Sequence, residues 1–189
     1  MSVLSPGRNI VLIGLMGTGK SAVGQILAED LGRSFADTDA MVEAEAGQSV
    51  AELFAQVGER GFRRLEAEAV RRVSALRGQV VAVGGGAVLD PSNVTHLRAT
   101  GDLVLLDAEP ATLAERLAGE QGKTRPLLDG AADPVARLAE LRVARNAAYR
   151  RCAAHTVDTT ARSPKQVAAE VLAWARSRRG VLSREELER

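Results

Sequence analysis

The sequence has little cysteine, few aromatic residues and almost no net charge. Cys152 is the only cysteine, which excludes an intrachain disulfide. Its helical spacing behind Leu141 and Ala148 favours a buried structural thiol over a nucleophile. Aromatic residues make up 3% of the chain, so small aliphatic side chains must fill the core. A net charge of +1 argues against broad binding to nucleic acid or membranes and favours a small-molecule partner.

The sequence also lacks long apolar segments. No apolar run approaches the ~18 residues that a membrane-spanning helix needs, and residues 1–9 are too short and too polar for a signal peptide. We therefore expect a cytoplasmic protein. Its 189 residues, 46% of them hydrophobic and 26% charged, suit one domain with a substantial core, and nothing in them demands more than a monomer.

A phosphate-binding signature lies near the N-terminus. Residues 14–21 read GLMGTGKS, which matches G-x-x-x-x-G-K-[ST] between an apolar run and a helical pattern. In such a loop the backbone N–H groups and the helix N-terminus hold phosphates, a lysine reaches the β- and γ-phosphates, and a hydroxyl binds magnesium. A glycine-rich turn without a ligand is the alternative. The predicted nucleotide contacts are Gly17, Thr18, Gly19, Lys20, Ser21 and Ala22.

Strands and helices alternate along the chain. Short aliphatic runs predict buried strands at 9–13, 34–37, 79–83, 103–106 and 155–157. An acid or serine before proline predicts a helix start, and such pairs occur at Asp90-Pro91, Glu109-Pro110, Asp133-Pro134 and Ser163-Pro164. This alternation predicts an α/β fold with a doubly wound parallel sheet.

Three more segments are predicted from glycines and capping patterns. A capping box at Ser49 starts one helix, and a longer one follows Gly58 and Gly61 and ends near Gly78. Residues 119–130 lack periodicity, which predicts a mobile lid. Residues 1–176 then form the domain, and 177–189 form a tail that we expect to be an appendage without chemistry.

Acidic residues and glycines follow the first strands of the predicted sheet. Asp37 and Asp39 end the second strand, and Gly84, Gly85 and Gly86 follow the third. Ligands of open parallel sheets bind at the carboxyl ends of the strands, so these loops should face the phosphate loop. The two aspartates can serve magnesium and the attacking nucleophile, or simply cap a helix.

A second acid competes for the magnesium role. Asp107 ends the aliphatic run 103–106 as the acid of a Walker B strand does. We favour Asp37, because the other candidate residues cluster on the first three loops.

Three arginines are candidates for anion binding. Arg145 interrupts the apolar stripe of its helix, and Arg63 lies one turn before Glu66. Arg125, in the lid, can act as an arginine finger. Two of them have a plain alternative: a buried ion pair or an aliphatic stem reaching water for Arg145, and a solvated loop position for Arg125.

Taken together, these motifs resemble the shikimate kinase family. The resemblance covers roughly 11–174 and implies ATP-dependent phosphorylation of the 3-hydroxyl of shikimate, on the pathway to chorismate and the aromatic amino acids. It also implies the fold of nucleoside monophosphate kinases, with a five-stranded parallel sheet of order 2-3-1-4-5, a lid and a substrate-binding region at about 38–66. The motifs that carry it are the phosphate loop, Asp37-Thr38-Asp39, Phe62-Arg63-Arg64-Leu65-Glu66, Gly84-Gly85-Gly86, Arg125-Pro126-Leu127-Leu128 and Arg145.

The resemblance assigns roles on the acceptor side. Arg63 and Arg145 would hold the substrate carboxylate. Asp39 and the glycine loop 84–86 would bind the ring hydroxyls, and Asp39 would also orient the attacking hydroxyl or accept its proton. A strong base is not required when the transition state is loose.

On the donor side the resemblance implies a magnesium ion bound directly by Ser21 and through water by Asp37. Lys20 and Arg125 would stabilise the transferring phosphoryl group. Arg162 and Pro164 match the loop that lies beside the adenine in the family.

Two positions depart from the family pattern. Ala22 replaces a usual second hydroxyl residue, and Ala118 stands where an arginine usually packs against the adenine. Arg116 is one possible substitute for the latter. Two other functions remain open: a gluconate kinase, which shares the phosphate loop and an acidic substrate, and a catalytically silent relative that binds ATP or shikimate.

Overall fold

A five-stranded parallel sheet of order β2-β3-β1-β4-β5 forms the centre of the molecule. The structure is a computed structural model that describes residues 7–120 and 125–188. The strands are β1 (Asn9–Ile13), β2 (Phe35–Asp37), β3 (Val80–Ala82), β4 (Gly101–Asp107) and β5 (His155–Asp158). The predicted fold class and strand order are confirmed.

Helices cover both faces of this sheet. They are α1 (Lys20–Leu31), α2 (Thr38–Ala46), α3 (Val50–Ser74), α4 (Pro91–Thr100), α5 (Pro110–Gly119), α6 (Pro134–Cys152), α7 (Pro164–Ser177) and α8 (Arg184–Leu187), with a 3₁₀ turn at Ala87–Leu89. The four predicted proline starts all begin helices, since each proline occupies the first turn. None of the helices in the described ranges combines the length and apolar character that a membrane crossing requires.

The central strand β1 contributes to both hydrophobic cores. Ile10 and Leu12 pack with α1 and α7 on one face, whereas Val11 and Ile13 pack with α3, α4 and α6 on the other. Successive strand residues point to opposite faces, so an unbroken aliphatic run is what a doubly covered strand requires. Cys152 is buried in the second of these cores, as expected for a structural thiol.

Helix α3 consists of the two helical parts that were predicted. The capping box at Ser49 is present and starts the first part. Gly58 has φ 67° and ψ 174°, a non-helical conformation with a positive φ that favours glycine, and it separates the first part from the longer second one. The second part includes Gly61 and ends at Ser74 instead of near Gly78.

The C-terminal tail packs against the domain. Val181 and Leu182 are buried in the core, and the predicted capping box at Ser183 starts α8. Arg33 donates from Nε and Nη2 to the carboxylate of Glu186, at 2.6 and 2.8 Å. The tail is thus held at the amino ends of the strands, away from the predicted site. Residues 121–124 of the predicted lid lie outside the described residues.

Candidate active site

The loops after β1, β2 and β3 meet at the carboxyl edge of the sheet. Asp37 and Asp39 come from the β2–α2 junction, Gly84 to Gly86 follow β3, and the phosphate loop follows β1. Two adjoining cavities of about 380 and 520 Å³ open between them. The smaller is lined by the predicted acceptor residues, and the larger by the phosphate loop. Ser21, Asp37, Asp39, Gly85 and Arg125 line both.

Lys20 bends over its own phosphate loop. Its Nζ donates to the carbonyls of Gly14 and Leu15 at 2.9 and 2.8 Å. Burial lowers the pKa of Lys20 to about 8, although Asp39 and Asp37 act to raise it. The ammonium is therefore positioned over the phosphate-binding concavity and loses its charge more readily than a surface lysine does.

Asp37 has two roles, one on each carboxylate oxygen. Oδ1 accepts from the backbone N–H groups of Asp39 and Ala40, at 3.0 and 3.4 Å, and so caps α2. Oδ2 accepts from the Ser21 hydroxyl at 2.6 Å. A hydroxyl and a carboxylate side by side are the hard oxygen donors that Mg²⁺ takes, and this ion needs only one or two protein ligands. The described residues contain no group of three or more His, Cys, Asp or Glu side chains that could hold a metal ion.

Asp39 lies deeper, where two other carboxylates face it. Burial, together with the charges of Asp37 and Glu66, raises the pKa of Asp39 to about 6 against the opposing effect of Lys20. A Cβ on Gly84 would lie 2.6 Å from Asp39 Oδ1 and 2.4 Å from Glu66 Oε1. Glycine at this position is therefore what permits the two carboxylates to approach the loop backbone.

Arg63 is held between two carboxylates and two aromatic rings. Its Nη1 donates to Glu66 at 2.7 Å and its Nη2 to Glu59 at 3.1 Å. The guanidinium carbon lies 5.8 and 5.6 Å from the ring centres of Phe54 and Phe62. The predicted partnership with Glu66 is present, and it directs Arg63 at the glycine loop.

Arg145 is 6% exposed and points at the same loop. Its Nη1 donates to the Gly85 carbonyl at 3.1 Å, and no carboxylate of the described residues pairs with it within 4.0 Å. The Tyr149 hydroxyl donates to the same carbonyl at 2.6 Å. Tyr149 was not among the predicted site residues, although its i+4 spacing from Arg145 places it on the same face of the helix.

Arg125 lies between the two cavities. Its Nη2 donates to Glu120 at 2.6 Å, while its Nε is buried and has no hydrogen-bond partner among the residues described. Leu127 and Leu128, which follow it, pack against the core. The part of the lid after 124 is thus anchored, with its arginine beside the phosphate loop.

The far wall of the larger cavity contains Arg162, Pro164 and Arg116. Arg162 pairs with Glu170. Arg116 donates to the carbonyl of Gly17 at 3.2 Å and to that of Thr159 at 2.5 Å. Arg116 therefore lines the larger cavity, and its role as a substitute for an arginine at position 118 stays a prediction.

Comparison with known proteins agrees with this geometry. The family model described as shikimate kinase matches residues 16–176. The shikimate kinase of Symbiobacterium thermophilum is 53% identical over 87% of this chain and 94% of its own length. That of Geobacter sulfurreducens is 46% identical over 93% and 95%.

Solved structures give the same result. The shikimate kinase from Acinetobacter baumannii in complex with shikimate superposes with a TM-score of 0.84 and 34% identity, covering 90% of this chain and 93% of that one. Sheet order, phosphate loop and family match all agree, so this chain belongs to the shikimate kinase family.

Proposed function

We propose that this protein transfers the γ-phosphoryl group of ATP to the 3-hydroxyl of shikimate, in the pathway to chorismate and the aromatic amino acids. The observation that carries the proposal is the pair Arg63 and Arg145, which approach one glycine loop from opposite helices beside a phosphate loop. Two guanidinium groups on one small cavity suit a carboxylate, and the carboxylates around them suit hydroxyl groups.

On the acceptor side, Arg63 and Arg145 hold the carboxylate of shikimate. Asp39, with the loop Gly84 to Gly86, binds the ring hydroxyls. An ionised Asp39 can orient the attacking hydroxyl and accept its proton; a pKa near 6 leaves it mostly ionised at neutral pH while bringing it closer to the pKa range of a general base.

On the donor side, the backbone of residues 17–22 cradles the phosphates and Lys20 reaches their outer oxygens. Ser21 would bind Mg²⁺ directly and Asp37 would hold it through water; the ion would neutralise phosphate charge when bound. Arg125 approaches from the lid to stabilise charge on the transferring group, and Arg162 and Pro164 flank the base.

We further propose that this chemistry resides in one domain, 1–176, acting as a cytoplasmic monomer on small molecules, without nucleic acid or a membrane. Its substrate-binding region spans about 38–66 and its lid about 119–130. Size-exclusion chromatography with light scattering, with and without both substrates, tests the monomer; a dimer mass at assay concentrations would contradict it.

A coupled assay of ADP release tests the proposed activity. Purified protein with Mg-ATP is given shikimate, quinate or gluconate in parallel, and the product is identified by mass spectrometry. We expect turnover with shikimate far above that with the other two acceptors. Phosphorylation of gluconate in preference would assign a gluconate kinase. Binding of Mg-ATP and shikimate without turnover would indicate the silent relative.

A further inference from the structure

The Walker B-like acid Asp107 is bound by an arginine of the helix that carries Arg145. Arg142 donates from Nε to Asp107 Oδ1 at 3.0 Å and from Nη2 to Asp107 Oδ2 at 2.9 Å. Its third nitrogen, Nη1, lies 3.2 Å from Glu109. Both acids lie at the junction between β4 and α5, so one guanidinium ties the middle of α6 to that junction.

The position of Asp107 does not favour a magnesium role. Oδ1 also accepts from the Ala108 backbone N–H at 3.0 Å, so both of its oxygens are engaged. The Ser21 hydroxyl, which should share any magnesium ion, is bonded to Asp37 instead. The feature that resembles a Walker B strand is thus an anchor for a helix.

Helix α6 is fixed at three levels by three arginines. Near its start, Arg137 donates to the carbonyl of Leu127, in the lid segment, at 3.2 Å. Arg142 meets Asp107 in the middle. One turn later, Arg145 donates to Gly85. Residues three apart are only about 4.5 Å apart along a helix. A slide or rotation of α6 would therefore move Arg142 and Arg145 together, and by holding Arg142 in place Asp107 also holds Arg145.

We propose that Asp107 and Arg142 form a positioning pair that holds Arg145 at the height required to bind the substrate carboxylate. The inference rests on the function proposed above. Neither residue lines either cavity, so the pair acts through α6. A misplacement of about 1 Å in a group that positions substrate can cost about 100-fold. Because the core contacts of α6 through Leu138 and Leu141 stay in place, we expect a smaller loss here.

Steady-state kinetics of Arg142→Gln and Asp107→Asn test the pair. We expect KM for shikimate to rise about five- to tenfold in either variant, while kcat, KM for ATP and the Mg²⁺ concentration for half-maximal rate change less than twofold. The double variant should be no worse than either single one, since the two residues act as a unit. Arg142→Lys keeps the positive charge but cannot donate two parallel hydrogen bonds to Asp107, so its KM for shikimate should lie between those of the wild type and Arg142→Gln.

Arg150→Gln is the matched control. Arg150 lies on the same helix and bonds only to Asn146 among its described neighbours, so its KM values should equal those of the wild type. Thermal melting verifies that each variant is folded. A raised Mg²⁺ requirement in Asp107→Asn would overturn the proposal in favour of a metal role. A lower melting temperature with unchanged KM for shikimate would overturn it in favour of a purely structural pair. A wild-type protein without shikimate-dependent turnover would defeat the proposed function itself, and this inference with it.

Discussion

Arginine and carboxylate side chains lie close together at both ends of the sheet, but they differ in how completely they are paired. At the amino ends, Arg33 has a carboxylate and two backbone carbonyls as acceptors: Glu186, Arg8 at 2.7 Å and Val181 at 2.8 Å. The Arg33 guanidinium and the Ser183 capping bonds lower the pKa of Glu186 to about 2 against the opposing effect of burial. We call Arg33 and Glu186 the tail clamp.

Around the acceptor cavity at the carboxyl ends, some of these groups are left incompletely paired. Glu66 is 1% exposed, its Oε1 has no hydrogen-bond partner among the residues described, and burial raises its pKa. Arg145 faces a backbone carbonyl, and the pKa of Asp39 is raised to about 6. Charged groups whose hydrogen bonds and ion pairs are complete within the protein stabilise the fold. Charged groups that lack some of these partners are available to bind a ligand.

The largest effect should come from Arg125→Ala. An arginine that arrives at the transferring phosphoryl group typically contributes about 10³-fold or more to turnover, so we expect kcat to fall by about 10³. Shikimate binding measured by calorimetry should weaken much less, because Arg125 acts in the transition state. Arg125→Lys should recover part of the rate. An unchanged turnover would remove Arg125 from the mechanism.

Arg145→Ala and Arg63→Ala should each nearly abolish shikimate binding. Charge-assisted bonds to a carboxylate are worth about 3 kcal/mol, which is about 100-fold in Kd. The Kd for ATP should change less than about threefold, and the melting temperature should hardly change for Arg145→Ala. Calorimetry with each ligand in turn measures these effects. Equal loss of ATP binding would mean that the arginines serve the nucleotide or the fold.

In contrast to the arginine variants, Glu186→Gln should reduce the free energy of unfolding and leave the kinetic constants unchanged. It removes the charge opposite the nearly buried Arg33, and breaking such a pair costs about 2 to 4 kcal/mol. Urea unfolding followed by circular dichroism measures the change. Glu188→Gln, which removes the exposed partner of Arg184, is the matched control and should cost less than about 0.5 kcal/mol. Equal losses of unfolding free energy in the two variants would show that the tail clamp stabilises the fold no more than an exposed ion pair does.

The tail clamp should also depend on pH. The folded-state pKa of Glu186, about 2, lies below the ordinary glutamate value of 4.5, so its contribution is fully present above about pH 4.5 and is lost as pH falls towards 2. The free energy of unfolding of the wild type should therefore fall over this window more steeply than that of Glu186→Gln. Parallel curves would contradict the assignment.

The smallest effect we predict is on the pH profile of kcat/KM. Asp39, with a pKa of about 6, must lose its proton to accept one, so activity should rise through pH 6. Lys20, with a pKa of about 8, must keep its proton, so activity should fall through pH 8. Because bound phosphates favour the ammonium, the upper limb should move to higher pH in the kcat profile. A flat profile from pH 5.5 to 8.5 would contradict both shifts.

Local patterns were enough to predict the sheet, the phosphate loop and the placement of Arg145. A charge within an apolar helical stripe is visible in the sequence, as is a proline at a helix start. The Asp107–Arg142 and Arg33–Glu186 pairs were not predicted. They join residues 35 and 153 positions apart, and contacts over such distances produce no spacing pattern in the sequence. The residue roles carried over from the family stay predictions, to be tested by the variants above.

The division of α3 was predicted, but its exact position was not. Gly58 and Gly61 together marked the boundary between two predicted helices, and only Gly58 has non-helical backbone angles. A Cβ at Gly58 would meet nothing within 4 Å, so the strain of any other residue there would come from the backbone and not from crowding. The sequence does not show which of two nearby glycines adopts the positive φ.

The kink at Gly58 divides α3 into two units that need not open together. The second half contributes Phe62, Ala69 and Val73 to the cores, whereas the first half rests mainly on Leu53 and contributes Phe54 to the wall of the acceptor cavity. Amide hydrogens of 53–57 should therefore exchange with deuterium faster than those of 66–74, and shikimate should slow the first set selectively. Binding of shikimate would then be detected as slower amide exchange in the less stable half of a single helix.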